Sequence, residues 1–335
     1  MDRENLTNGR TNEMSGLHSH PDCNTIPEIV SNAPTLRQLT PGGDANALGR
    51  LTFPSFSSLL AEPNAHVLAV GAFDPQPVGL VLARVGASGT RLLSLFTAPT
   101  HRRRGIGGAL LASVERLSRL AGSLRIETTY RTGTPGSAAF EATLARAGWS
   151  RPELRQLFCR TSPQKLASAL TGLYRPSARY RVVAWADVSA DERNILRCSQ
   201  VAESWYPPDL DPFFHEEGYE PLTSVALRTP DGIVGWLIAH RVGPSVIRYS
   251  CAYVHPKLQR TARLLELYLE AAFRQTAAFG PDSRVIGTVP VAHANMTRFV
   301  RHRVTPFLQE FAEFRGSQKH LGPSSQRRMP FPTEA

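Results

Sequence analysis

At 335 residues, 41% hydrophobic and 20% charged, the chain is long for one compact domain and has material for real cores, so two domains are expected. Its 38 basic against 28 acidic residues give a formal net charge of +10, and only Lys165, Lys257 and Lys319 are lysines, so arginine carries the excess. Scattered Cys23, Cys159, Cys198 and Cys251 suggest neither a zinc site nor a disulfide framework, and no apolar run nears the roughly 20 residues of a membrane helix.

Residues 1–33 are polar and aperiodic, with no signal-peptide core, and read as a disordered arm of a cytoplasmic, metal-free protein. A first strand is expected over 34–40, followed by a polar helical region from Pro54 to Glu62. HVLAVGAF and QPVGLVLARV form a hairpin across a proline-containing turn. RLLSLFTA is a strand leading into THRRRGIGGALL, and Leu110, Val114, Leu117 and Ala121 fall at helical spacing after it. SLRIETTY is the next strand, Gly136 to Ala147 a second helix, and Leu154 to Arg160 the last strand of the unit. Residues 161–178 read as a linker holding one helix, QKLASALTGL. The tail from 317 to 335 reads as flexible.

The pattern then repeats. VGLVLARVG from Val78 recurs as VGWLIAHRVG from Val234, 156 residues on; Pro99 recurs as Pro256, 157 on; Trp149 falls on Phe307, 158 on. Three segments in one order at nearly one offset imply two copies of one fold, over 34–160 and 179–316.

In THRRRGIGGALL a strand ends, glycines follow and a helix begins. Backbone N–H groups converge at such a junction and the helix dipole favours anions. Gly105, Gly107 and Gly108 allow close backbone approach to a phosphate. The loop is not a Walker A sequence, and it lacks the third glycine of a dinucleotide fingerprint. The bland alternative is a tight turn with exposed arginines.

The run LFTAPTHRRRGIGGALLASVERL resembles the acetyl-coenzyme A motif of the GNAT superfamily of N-acetyltransferases, with Arg102-Arg103-Arg104-Gly105-Ile106-Gly107 in place of its R-x-x-G-x-G. SAAFEATLARAGW resembles that family's following segment. The resemblance covers residues 34–160 and implies an α+β fold: two tandem GNAT-like domains, each a mixed, mostly antiparallel sheet flanked by helices. It further implies that acetyl-coenzyme A or another acyl-coenzyme A is the cosubstrate. Its pantetheine would lie along Leu95, Phe96 and Thr97, and its pyrophosphate on the loop from Arg103 to Gly108, with Arg102 beside it. An amine, small or on a peptide, would attack the thioester directly.

The family's proton-donating tyrosine is replaced by Leu144. Tyr130 or solvent is therefore the expected acid, and Glu127 is the expected base, directly or through water, against readings of Tyr130 as a strand-end cap and of Glu127 as a surface or ion-paired residue. His101 is given a role on the loop surface. In the second copy Ala262 and Leu264 fill the glycine positions, His302 takes the tyrosine position, and a second coenzyme site is not expected. The acidic, aromatic stretch 202–221 is either an acceptor-binding loop or a lid over its own core. Three readings remain open beside an N-acetyltransferase: a longer-chain acyltransferase, an inactive coenzyme-binding module, and, least favoured, a nucleic-acid binder. Monomer and homodimer are both open.

Overall fold

A computed structural model describes residues 34–39, 48–61, 66–173 and 177–322; the expected arm over 1–33 lies outside the described residues. The first half forms β1 (Thr35–Gln38), α1 (Pro54–Ala61), β2 (Val67–Asp74), β3 (Gln76–Gly86), β4 (Gly89–Thr97), α2 (Ile106–Leu120), β5 (Arg125–Arg131), α3 (Ser137–Arg146) and β6 (Glu153–Thr161). After α4 (Pro163–Leu170) come β7 (Arg181–Ala184), α5 (Ala190–Glu203), β8 (Val225–Thr229), β9 (Gly232–Gly243), β10 (Val246–Val254), α6 (Arg263–Phe279), β11 (Arg284–Pro290), α7 (Ala294–Phe299) and β12 (Glu310–His320).

All twelve strands join one sheet in the order β1-β2-β3-β4-β5-β12-β6-β11-β10-β9-β8-β7. Only β4–β5 and β10–β11 are parallel, as a strand-helix-strand crossover requires, and every other pairing is antiparallel. The α+β architecture expected from the sequence is present in both halves.

Each half gives its last strand to the other. β12 lies against β5, with Gly316 opposite Thr129 and Gln318 opposite Glu127, and β6 lies against β11, with Phe158 opposite Thr288. β12 and β6 then pair with each other and join the halves. The expected division at residue 160 therefore follows chain order, while the sheet crosses it.

Two of the expected boundaries need correction. The segment from 317 was expected to be flexible, yet β12 continues to His320, and Leu321 is 7% exposed within the first half's core. Residues 323–335 lie outside the described residues. The expected linker is not a free tether: Ser162 caps α4 by accepting from the Lys165 N–H, and Leu166, Ala167 and Leu170 enter the second half's core.

Side chains opposite each other in register share a sheet face. One face is covered by α2, whose Leu110, Leu111, Val114 and Leu117 pack on Val70, Val81 and Leu92, and by α6, whose Leu267 and Ala271 pack on the matching strands. On the other face α1 covers Leu80 and Leu82, and α5 covers Ala226, Trp236 and Ile238. The arrangement leaves the second face of the central strands without a helix among the described residues.

Candidate functional site

β4 carries a bulge: Leu82 opposes Ser94 and Ala83 opposes Leu92, so Leu93 is extra. A bulge bends and twists its strand. Pairing with β5 accordingly ends at Leu92–Thr128, and Leu95, Phe96 and Thr97 are paired on the β3 side only. β10 does the same 157 residues later, with a register shift between Tyr249 and Cys251 and pairing to β11 that ends at Tyr249–Gly287. Each half thus contains a V-shaped gap between two parallel strands.

The glycine loop lies at the mouth of the first gap. Pro99–His101 forms a 3-10 turn, and the Arg102 Nε donates to the Thr97 carbonyl at 3.2 Å. Arg103 (φ 62°) and Gly105 (φ 79°) are left-handed, which turns the chain sharply into α2. The first turn of α2 has no side-chain cap and no acidic residue, so its N–H groups remain available to an anion. Gly107 and Gly108 are helical, and nothing in the fold demands glycine there. A Cβ on Gly107 would come no nearer than 3.7 Å to Thr97 Oγ1, and one on Gly108 would meet nothing within 4 Å. Those two glycines leave open space in front of a donor-rich helix end, the arrangement a phosphate needs. Asp74, from the β2–β3 hairpin, braces the loop through His101 at 3.4 Å and Arg104 at 3.5 Å. Arg102, Arg103 and Arg104 are exposed.

Tyr130 stands beyond the last β4–β5 pair, in the wall of the gap. Its hydroxyl donates to Glu141 Oε1 at 2.9 Å, its ring meets Phe140 edge-on at 4.9 Å, and Glu141 pairs with Arg315 at 3.8 Å. Burial, followed by the Glu141 carboxylate, pushes the phenol far above its usual range, so it is protonated at neutral pH. Glu127 lies elsewhere. It sits in the paired part of β5, with its carboxylate between Arg91 at 3.8 Å and Arg125 at 3.6 Å. Leu144 is 1% exposed and packs in the core, so the tyrosine position has become a core position. Neither Glu141 nor Arg315 was singled out from sequence. Glu141 lies one helical turn before Leu144, which is a usable signal; Arg315 arrives only through the exchanged strand.

The second loop is closed. Ala262 (φ 59°) repeats the left-handed turn of Gly105, but Leu264 stands in the place of Gly107 and packs against the second half's core. Arg263 is 8% exposed, bonded to Glu266 at 2.7 Å and stacked over Tyr180 at 4.7 Å. Gln259 donates to Tyr253 Oη at 2.9 Å.

The stretch 202–221 is a lid. Trp205 packs on Trp236 with ring centroids 5.4 Å apart, Tyr206 is 3% exposed, and Trp236 Nε1 donates to the Leu210 carbonyl. Three of its carboxylates are engaged by the protein: Glu216 by Arg193 and Trp185, Asp209 by His293 at 2.8 Å, and Asp211 by the Phe213 N–H, while Glu217 is exposed.

Residues 36–140 match the family model for the acetyltransferase (GNAT) family, a span that ends inside α3 and includes the gap and the loop. Over that span the first half matches the GNAT acetyltransferase family. A mycothiol acetyltransferase from Kineococcus radiotolerans is 32% identical over 145 residues, 42% of this chain and 46% of that protein. The chain thus spans less than half the length of that curated relative. The GNAT fold extends to the second half as well. A tandem GNAT protein from the clavulanic acid biosynthesis pathway superposes with a TM-score of 0.59 at 16% identity, covering 87% of this chain and all (100%) of that one. A GCN5-related N-acetyltransferase from Sphaerobacter thermophilus gives 0.58 at 13% identity, covering 85% and 96%. The chain has a tandem GNAT fold. Among the described residues no helix is long and apolar enough to cross a membrane, and no group of three or more His, Cys, Asp or Glu side chains could hold a metal ion.

Proposed function

We propose that the chain is an acyl-coenzyme A-dependent N-acyltransferase with one coenzyme site, in the first half, acting on an amine acceptor. The observation that carries this reading is the pair of helical glycines, Gly107 and Gly108, which no packing requires and which keep the α2 N-terminus clear beside an unpaired strand. The second half has the same gap and the same left-handed turn, but a leucine where the phosphate would lie.

In this reading the α2 amides and the arginines from Arg102 to Arg104 hold the pyrophosphate, and Leu95 to Thr97 bind the pantetheine arm. A backbone N–H of β4 facing the gap polarises the thioester carbonyl. The neutral amine attacks the carbonyl carbon, the carbon–nitrogen bond forms and the carbon–sulfur bond breaks. Tyr130, held protonated by its surroundings, gives its proton to the departing thiolate, and Glu141 receives the proton shed by the amine and returns one to Tyr130. We assign proton handling to this pair in preference to Glu127, whose carboxylate is committed to Arg91 and Arg125 at the closed end of the strand pair. The second half contributes β12, which backs β5 and carries Arg315 to Glu141, and so supplies part of the acceptor side.

The test is acyl-coenzyme A binding by calorimetry together with thiol release across a panel of amines, for the natural chain and Gly107→Leu. The natural chain should bind one acyl-coenzyme A per chain and release thiol only when an amine is present. Gly107→Leu should raise the Kd by about a hundredfold or more. Undiminished binding by Gly107→Leu would overturn the site assignment.

A further inference from the structure

The uncovered face of the central strands carries an uneven set of charges. In register across it lie Glu127 and Gln318, then Thr129, Gly316 and Glu153, then Arg131, Phe314 and Gln156, then Ala312, Phe158 and Thr288, and at the upper end Glu310 and Arg160. Thr129 and Thr288 are exposed, while Phe158 and Phe314 are half-buried with ring centroids 6.4 Å apart. This floor is built from both halves and borders the gap, since Thr129 and Arg131 lie on β5, the strand that forms one wall of the gap, while Tyr130 between them points to the opposite face.

Arg131 and Arg160 converge on a single carboxylate. Arg131 Nη1 bonds Glu310 Oε1, and Arg160 Nη2 bonds Glu310 Oε2 at 2.8 Å, with the two arginine side chains 44% and 38% exposed. A guanidinium has five N–H donors in a planar fork, so one carboxylate leaves most of the two sets unused. The group retains one net positive charge on an open surface beside the reacting centre. The carboxylates on this face are each met by arginine, Glu127 by Arg91 and Arg125 and Glu153 by Arg155 at 3.4 Å, while in the stretch 202–221 Glu216 is held by Arg193 and Asp209 by His293.

We propose that the acceptor is an amine that also bears a carboxylate or other compact anion. Its anionic end sits on Arg131 and Arg160, and its body lies on Phe158 and Phe314. Its amine then enters the gap from the uncovered face, opposite the side on which Tyr130 lies. This rests on the function proposed above and adds the class of acceptor. A purely cationic polyamine would meet net positive charge on this floor and is disfavoured.

The inference is tested with acetyl-coenzyme A and matched acceptors: amino acids and short ω-amino acids, their carboxamides, the corresponding phosphonates, and diamines of equal length. The carboxylate or the phosphonate series should exceed the carboxamides in kcat/KM by about tenfold or more, the effect of a hydrogen-bonded charge, and the two anionic series decide which anion is preferred. Arg131→Gln and Arg160→Gln should each shrink that ratio toward one through KM, with acyl-coenzyme A affinity unchanged. Arg131→Lys should restore part of it. Preference for diamines or carboxamides, no turnover of any anionic amine by a protein that binds acetyl-coenzyme A, or a ratio indifferent to both substitutions would each overturn the proposal. Failure to bind acetyl-coenzyme A at all would instead strike the proposed function itself.

Discussion

Single side chains separate the two halves more sharply than the backbone does. Gly105 and Ala262 take the same left-handed conformation at the same place, although only glycine adopts it without cost. The turn is therefore kept by the fold, while the pair Gly107 and Leu264 differs for the ligand. Tyr249 shows the opposite case, a polar atom the fold gains nothing from. It is 6% exposed, its hydroxyl has no hydrogen-bond partner, and it faces a cavity of about 80 Å3 lined by Tyr268, Val285, Val300 and Val304. A buried hydroxyl without a partner costs about 1–3 kcal/mol. Burial also raises the phenol pKa of Tyr249, and that of Tyr206 to about 12, above the value of 10.0 in an unfolded chain. For groups raised on folding, the stability is whole below the unfolded value and is lost as pH climbs through the folded one. Chemical denaturation should therefore show stability falling from about pH 10 upward. Tyr249→Phe should be more stable than the natural chain by about 1 kcal/mol at neutral pH and should lose less above pH 10. A less stable Tyr249→Phe would mean that the hydroxyl has a partner, such as a water in the cavity.

At the scale of elements, β12 does most to join the halves, and one buried cluster fixes it. Lys319 Nζ meets Glu115 Oε2 and the Ala147 carbonyl, each at 2.6 Å, and Trp149 Nε1 donates to Glu115 Oε1 at 2.7 Å. Glu115 lies on α2 and is 4% exposed, so a carboxylate in the first half's core depends on a lysine 204 residues away. Removing one partner of a buried pair costs about 3–5 kcal/mol, because the other charge stays buried, whereas replacing both with apolar residues is often neutral. Lys319→Met should destabilise by an amount in that range, and adding Glu115→Leu should recover part of it, with Trp149 Nε1 left as the residual cost. Equal stability of Lys319→Met and the natural chain would show that the pair does not hold the strand. The same strand marks where reading the sequence stops. Every strand and helix of the first half was legible, because alternation, helical spacing and turn residues are local, and the duplication was legible from its constant offset. The exchange of β6 and β12 was not. The run SQKHL after Gly316 is polar because its alternate residues face the open floor and the Glu115 cluster, so it reads as tail. No local pattern states that Ser317 will sit opposite Thr128. At the site the loop and the gap were legible through the glycine motif, while Glu141 and Arg315 depended on which strand lies beside β5.

The whole molecule is a continuous sheet with two gaps, and this bears on whether the first half is a protein in its own right. Residues 34–161 contain the entire glycine loop, the gap and Tyr130, so a division by chain order predicts an independent coenzyme-binding domain. The sheet predicts otherwise. Without β12, β5 presents a bare edge beside the gap, the Glu115 carboxylate keeps only Trp149 and, at 3.9 Å, Arg119, and Leu321 leaves the core it fills. β6, meanwhile, loses its partner β11 and exposes Leu157, which is 0% exposed in the second half's core. An uncovered edge and two opened cores favour aggregation over folding. Residues 34–161 alone should therefore show no cooperative thermal transition and no acyl-coenzyme A binding, and co-expression with residues 162–322 should restore both in a one-to-one complex. One alternative outcome is informative: β6 could turn back to pair with β5 in the place of β12, since the two strands occupy equivalent positions 157 residues apart. A soluble, cooperatively melting fragment that binds acyl-coenzyme A would show that this local pairing is accessible. The strand exchange would then be a choice made by the tandem chain, and not a requirement of its first fold.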